Sequence, residues 1–193
     1  MKYADMTWGT MEAIVNKLGG MDGVQRFLSG ELVMKVLGIL KFVCSVSVPA
    51  VKKFVASEAF GDNNSAGIKF YIWDNFKTNF LGKVEEDVPA TELNIHELTK
   101  NSLDAPIRAE LGTEYEETKL AHLYEMLKKQ AHGEAGDLLV NGYANIFYIR
   151  DTNNNLWAVY AHWGAGFREW RVRAYSVTSP GGWGAGFQVI SRK

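Results

Sequence analysis

The sequence predicts an α+β fold: an N-terminal helical pair, a mixed centre with one long helix, and a C-terminal antiparallel β-meander. Apolar residues recur at helical spacing near the start of the chain and again over residues 118–130. From residue 143 onward the hydrophobic pattern changes to period two, which is typical of strands. The chain has 193 residues, 47% of them hydrophobic, which is enough for one well-packed core. We therefore predict a single domain over residues 1–193.

The helical pair is predicted within residues 1–31. The first helix follows a threonine cap and stops at Gly19-Gly20. The second begins at a capping-box arrangement, Asp22 with Gln25 three residues later, and ends at Gly30. Two short helices joined by glycines also occur in helix-turn-helix DNA readers. Because the second helix offers few side chains that could read bases, the pattern favours a structural role.

The centre, residues 32–142, combines β-branched and aromatic runs with two helical patterns. The predicted elements are two strands within residues 32–60 that break near Pro49, a strand at 68–73, a helix at 74–81, a strand at 91–98, and the long helix at 118–130.

Two groups of residues in the centre are of types that bind metal ions in other proteins. The run Glu85-Glu86-Asp87 lacks further carboxylates at calcium-loop spacing, which favours a solvated acidic loop. His122 and Glu125 lie three residues apart on the long helix, but a zinc site needs three or four ligands and no other His or Cys spacing supplies them. We therefore predict no metal and no cofactor.

The Trp-rich segment 143–193 is predicted to form the antiparallel meander. Its strand-like runs are residues 143–150, 156–163, 169–177 and 187–192. Alternation places tryptophans on one face, Trp157 and Trp163 on one strand with Trp170 on the next, beside small apolar residues.

The opposite face of these strands is the best functional candidate in the sequence. Residues 150–193 carry six Lys or Arg and two Asp or Glu, whereas the rest of the chain carries 15 and 20. Arginines interleaved with tyrosine on a sheet can pair with phosphates and stack on bases. The candidate binding residues are Tyr160, His162, Arg171, Arg173 and Tyr175.

These residues predict a non-catalytic binding protein whose partner is a protein or a nucleic acid. A protein-binding module requires an exposed apolar patch containing at least one of the C-terminal tryptophans, Trp157, Trp163, Trp170 and Trp183. A nucleic-acid binder requires Arg171 and Arg173 instead, and its affinity would fall steeply with salt. The alternative without a binding function is that both arginines form a solvated face or pair with acidic residues of the first part of the chain.

The pentapeptide Trp-Gly-Ala-Gly-Phe occurs twice, at residues 163–167 and 183–187. The residues that follow the two copies are unrelated, and both copies lie among strands rather than before a helix. This context argues against a duplication and against a phosphate loop, which would open a helix. We predict two turns of similar geometry that shape the sheet.

Catalysis finds little support, because the four histidines are scattered singly and no serine lies in a nucleophile elbow. A small hydrolase with an unrecognised site is the alternative, since triads assemble in space rather than in sequence. Its first candidate base is His162, near Asp151 or Glu169.

The single cysteine, Cys44, cannot form an intrachain disulfide, and a reducing cytoplasm is the simpler compartment. The N-terminus shows no signal-peptide pattern. The one apolar stretch of membrane length, residues 32–51, contains Lys35 and Lys41 and reaches Pro49, so we interpret it as buried structure.

Eight stretches of the sequence carry a resemblance: Trp8-Gly9 and residues 15–20, 23–24, 27–31, 74–76, 79–83, 102–107 and 141–147. They resemble a family of small uncharacterised bacterial proteins found mainly in environmental genomes. The resemblance covers nearly the whole chain. It implies a discrete recurring protein, and it carries over no activity and no site residue.

Overall fold

The structure, a computed structural model, describes residues 7–32, 38–114 and 116–193. The chain divides into two compact units after Leu37. Each unit is defined by the contacts that its residues make with one another. The single domain over residues 1–193 stays a prediction. Residues 33–37, which belong to the apolar stretch 32–51, lie outside the described residues, as do residues 1–6 of the predicted helical pair.

The N-terminal unit is the predicted helical pair, with α1 at Trp8–Lys17 and α2 at Gly20–Leu28. The Thr7 hydroxyl caps α1 by accepting a hydrogen bond from the backbone N–H of Thr10 at 3.2 Å. The capping box predicted for α2 is wrong, because the helix begins two residues before Asp22, after Gly19 in the left-handed region at φ 91°. A glycine adopts that backbone without strain, so the turn itself sets the start of α2.

The second unit contains ten strands and four helices among its described residues. In chain order they are β1 Leu40–Val48, β2 Val51–Val55, α3 Ala56–Ala59, β3 Phe70–Ile72, α4 Asp74–Phe80, β4 Val84–Val88, β5 Thr91–Leu98, α5 Asp104–Leu111, β6 Glu117–Thr118, α6 Leu120–Lys128, β7 Asn145–Arg150, β8 Leu156–Gly164, β9 Glu169–Ser176 and β10 Gln188–Arg192. The break near Pro49, the strand at 91–98 and the helix that follows residue 73 are confirmed.

Eight of the strands form one mixed sheet. The strand order is β1-β5-β10-β7-β8-β9-β3, with β6 paired to β7. Strands β7, β8 and β9 pair antiparallel in sequence, as predicted. The rest of the predicted meander is wrong, because β10 does not follow β9 but lies between β5 and β7, antiparallel to the first and parallel to the second. Strand β3 is also parallel to its neighbour β9.

Burial explains why β10 takes a central position. Val189 and Ile190 are adjacent on this strand and point to opposite faces of the sheet, yet both are fully buried. A strand that is apolar on both faces needs cover on both sides, which the centre of this sheet provides. The predicted antiparallel pairing of a final edge strand would have left one of these side chains in water.

The two faces of the sheet carry separate cores. The core on one face contains the buried residues of helix α6 together with Trp163 and Trp170. Ile107 of α5 lies in a second core on the other face, with Tyr148 and Val189. Residues farther along this face, among them His162 and Arg173, are only half-buried.

Two centre predictions need correction. The predicted long helix spans nine residues in α6, and α1, with ten, is longer. The predicted acidic loop is the strand β4, paired antiparallel with β2, and Glu85 is buried within it. Its carboxylate accepts hydrogen bonds from the backbone N–H groups of Leu120 and Ala121, at 3.2 and 2.9 Å. The charge is therefore used to cap the first turn of α6.

Within the described residues, no helix has the length and apolar character needed to span a membrane.

Candidate functional site

The five candidate residues lie together on one face of β8 and β9. Tyr160 is opposite Arg173 and His162 is opposite Arg171 in the antiparallel register. Tyr175 joins them, because its ring centre lies 5.6 Å from that of Tyr160. The strands therefore bring together all five residues on the face opposite the tryptophan-rich core, as their alternation predicts.

Three further aromatic residues complete this surface. Strand β3 lies beside β9 at the edge of the sheet and brings Tyr71 opposite Arg171. Trp73 follows directly after β3, and its backbone N–H donates to the Val172 carbonyl of β9 at 3.1 Å. Phe167 comes from the β8–β9 turn. We call the surface formed by these residues the arginine-aromatic face: Tyr71, Trp73, Tyr160, His162, Phe167, Arg171, Arg173 and Tyr175.

Each arginine lies over two aromatic rings. The guanidinium carbon of Arg171 is 4.6 Å from the ring centre of Phe167 and 5.5 Å from that of Tyr71. The guanidinium carbon of Arg173 is 4.2 Å from the Trp73 ring and 5.5 Å from the Tyr175 ring. Such contacts hold a cation over the electron-rich face of a ring. The two guanidinium groups are therefore fixed in position on the surface of the sheet.

The two arginines differ in their charge partners. The Arg171 Nε donates to the Glu169 carboxylate at 3.2 Å, and Lys69 lies 3.3 Å from the same carboxylate. Within the described part of the chain, Arg173 has no ion pair; its Nη1 donates to the Tyr175 hydroxyl at 2.6 Å. The uncompensated charge of the face therefore lies at Arg173, and Lys69 adds to it.

The pKa values of His162 and Tyr160 are shifted by burial and by neighbouring side chains. Burial, together with the charges of Arg171 and Arg173, lowers the pKa of His162. Burial, together with the Tyr175 hydroxyl, raises the pKa of Tyr160 to about 12. His162 and Tyr160 are therefore both neutral at pH 7, and the positive charge of the face comes from its arginines.

Among the protein-family models, the curated proteins and the solved structures, none matches this chain.

The two pentapeptides form turns, as predicted. In the first copy the Phe167 N–H donates to the Gly164 carbonyl at 3.0 Å, and in the second the Phe187 N–H donates to the Gly184 carbonyl at 3.3 Å. The hydrogen bond joins the same two positions of the repeat, but the similar geometry that we predicted is wrong, because Gly186 lies in the left-handed region at φ 85° and Gly166 does not. Their places in the fold differ, because the first closes the β8–β9 hairpin and the second leads into β10.

The tryptophans do not form the exposed patch that we expected for a protein-binding module. Trp163, Trp170 and Trp183 are buried, and Trp157 is half-buried, with its Nε1 donating to Asp151 at 2.9 Å. Trp183 borders the arginine-aromatic face, since its ring centre is 5.2 Å from that of Tyr160. The exposed rings of the arginine-aromatic face are those of Tyr71, Phe167 and Tyr175.

Asp151 and Glu169, the carboxylates considered as partners of His162 in a hydrolase, bind other groups. Asp151 accepts from the backbone N–H groups of Asn153 and Asn155 at 2.8 Å each, and Glu169 binds Arg171 and Lys69. Across the described residues, neither carboxylate forms a hydrogen bond with His162. The histidine that contacts a serine is His96, whose Nε2 is 3.2 Å from the Ser191 hydroxyl.

The residues considered for metal binding also have structural partners. The Nδ1 of His122 accepts from the Lys119 backbone N–H at 3.2 Å, and the Glu125 carboxylate lies 2.6 Å from the Lys128 ammonium. In the part of the chain that the structure describes, no group of three or more His, Cys, Asp or Glu side chains is placed to hold a metal ion.

Sequence reasoning missed Tyr71, Trp73 and Phe167. The strand at 68–73 is predicted, but its pairing with β9 joins segments about a hundred residues apart, and no local pattern encodes that pairing. Phe167 is visible in the pentapeptide, but the sequence does not show that the turn places it beside Arg171. A search for aromatic residues at alternate positions, such as Tyr71 and Trp73, would have found the first two.

Proposed function

We propose that this protein is a non-catalytic binding protein that recognises its partner with the arginine-aromatic face. The observation that carries the proposal is the combination of two guanidinium groups with the exposed rings of Tyr71, Phe167 and Tyr175 on one surface of the sheet. Arginine and aromatic side chains are the residues in which binding energy concentrates at recognition surfaces.

The exposed rings support binding over a purely structural role. Phe167 is 64% exposed and Tyr71 is 49% exposed. If these rings served only to stabilise the sheet, they would be expected to bury more of their area, because burial is what stabilises a fold. Their exposed surface is available to a partner.

Rigidity supports the same proposal. The rings hold both arginines in place, and Glu169 fixes Arg171 further. A prearranged surface loses less side-chain entropy on association than a flexible one, so more of the interaction energy appears as affinity.

Site-specific photocrosslinking tests the proposal. Phe167 is replaced with the photoreactive p-benzoylphenylalanine, and the matched control carries the same residue at Phe42, an exposed ring on β1 at the other end of the sheet. After irradiation in an extract of the source cells, we expect a discrete adduct at position 167 that weakens with Arg173→Ala. Adduct formation at position 167 no greater than at position 42 would contradict the proposal.

A further inference from the structure

We infer that the ligand of the arginine-aromatic face is single-stranded nucleic acid, whose bases stack on the exposed rings while its phosphates pair with the arginines. This inference rests on the proposed function. It follows from the interleaving of planar rings and guanidinium groups on one sheet face, a combination that matches the two chemical parts of a nucleotide.

Charge favours an anionic ligand. Lys69, Arg168, Arg171 and Arg173 lie on or beside the face. Two carboxylates lie there as well: Glu169 pairs with Arg171 and Lys69, and Asp74, which follows Trp73, pairs with Lys77. Arg173 has no carboxylate partner among the described residues, and one of its N–H groups is engaged by Tyr175. Since a guanidinium carries five N–H donors, others remain for phosphate oxygens.

The rings favour unpaired bases over an acidic peptide. An acidic peptide would use the cations and leave the rings of Tyr71 and Phe167 in water. Bases in a single strand present flat faces that stack on aromatic side chains, whereas bases in a duplex already stack on one another. The exposed rings can therefore contact the bases of a single strand, whereas an acidic peptide or a duplex would leave them without such a contact.

The size of the face suits a short stretch of nucleotides. It spans three neighbouring strands, β8, β9 and β3, which lie about 5 Å apart from one to the next. Sheets of this width accommodate two or three stacked bases in other single-strand binders. Trp183 and the α5 side of the sheet limit the surface beyond Tyr160.

Fluorescence anisotropy with labelled oligouridylate and oligodeoxythymidylate of about 12 nucleotides tests the inference, since that length exceeds the expected site. We expect binding that weakens as salt rises from about 50 to 200 mM. Arg173→Ala should lower the slope of log affinity against log salt by about 0.7 for each phosphate that Arg173 neutralises. Tyr71→Ala should weaken binding about tenfold, because one base no longer stacks on the ring.

Two matched controls separate the face from general charge and general apolar surface. Lys52→Ala removes an exposed cation from β2, in the other sheet, and Phe42→Ala removes an exposed ring from β1. Both should leave affinity unchanged within about twofold. Arg173→Lys, which keeps the charge and loses the planar group, should bind more weakly than the wild type and more tightly than Arg173→Ala.

Three results would overturn the inference: no binding of either oligonucleotide at low salt, equal loss of binding in Lys52→Ala and Arg173→Ala, or a duplex bound as tightly as the single strand. The crosslinking experiment distinguishes these failures from failure of the proposed function. An adduct at position 167 that contains protein and survives nuclease would leave the face as a binding surface and reject nucleic acid as its ligand.

Discussion

The guanidinium of Arg173 lies over the ring of Trp73, with 4.2 Å between its central carbon and the ring centre. A partly exposed interaction of this kind contributes about 0.5–1 kcal/mol. We therefore expect Arg173→Ala to lower the free energy of unfolding by about 1 kcal/mol or less, as measured by urea denaturation. Lys52→Ala is the control. A loss above about 3 kcal/mol would make Arg173 a structural residue, since losses of that size come from buried groups.

Asp104 links two aromatic residues of the second core, Tyr148 and Trp183. Its Oδ1 accepts hydrogen bonds from the Tyr148 hydroxyl and from the Trp183 Nε1, both at 2.8 Å, and the residue is 2% exposed. Burial raises the pKa of this carboxyl group. Asp104→Ala leaves two buried donors without an acceptor, so we expect a loss of about 2–5 kcal/mol in urea denaturation.

Asp104→Asn is the matched variant, because an amide oxygen can accept both hydrogen bonds. It should lose less stability than Asp104→Ala. Equal losses in the two variants would show that the hydrogen bonds to Tyr148 and Trp183 contribute little.

Glu85 and Glu86 are neighbours on β4 with opposite surroundings. Glu85 is buried and binds two backbone N–H groups at the start of α6, whereas Glu86 is exposed. Loss of a helix cap costs about 0.5–2 kcal/mol, and the buried N–H groups add to this when they lose their acceptor. We expect Glu85→Ala to destabilise by about 2 kcal/mol and Glu86→Ala by less than about 0.5 kcal/mol, measured by thermal or urea unfolding. Similar losses in the two variants would show that Glu85 does not act as a cap.

His122 makes stability depend on pH. Burial, reinforced by the charges of Lys119 and Arg192, lowers its pKa from 6.5 to about 4. Above about pH 6.5 the imidazole is neutral in both states and its contribution is complete. Between 6.5 and 4 only the unfolded state takes up the proton, so stability falls as the pH falls, by up to about 3 kcal/mol.

The comparison of wild type with His122→Gln isolates this contribution from that of the carboxyl groups. Urea denaturation at pH 7 and pH 4.5 should give a smaller pH-dependent loss in the variant. His132→Gln, which lies at the surface, is the control. A variant that loses as much stability as the wild type between these pH values would exclude His122 as the cause.

The arginine-aromatic face shows which structural features can be predicted from local sequence. Alternation along β9 separates Arg171 and Arg173 from the buried Trp170 and Val172, so their common face is predictable from period two alone. The ring that covers Arg173 is not, because Trp73 belongs to a segment about a hundred residues away. Side-chain direction is a local property, whereas the choice of a neighbouring strand depends on the whole core.

Glu85 shows the opposite limitation. Three successive acidic residues suggest a solvated loop when they are considered alone. Pairing of β4 with β2 turns Glu85 inward, where the free N–H groups of Leu120 and Ala121 need an acceptor. The reason for the buried charge lies in another element, and composition gives no sign of it.

The central position of β10 has a consequence for folding. This strand joins β5 to β7, so most of the sheet's pairing near its middle links segments far apart in the chain. Until residues 188–192 arrive, β5 and residues 145–147 of β7 each expose an unpaired edge that can recruit another chain. High contact order of this kind slows folding to milliseconds or longer. The stages before β10 docks are therefore when the chain is most open to aggregation, and a chaperone that covers those edges would act at that step.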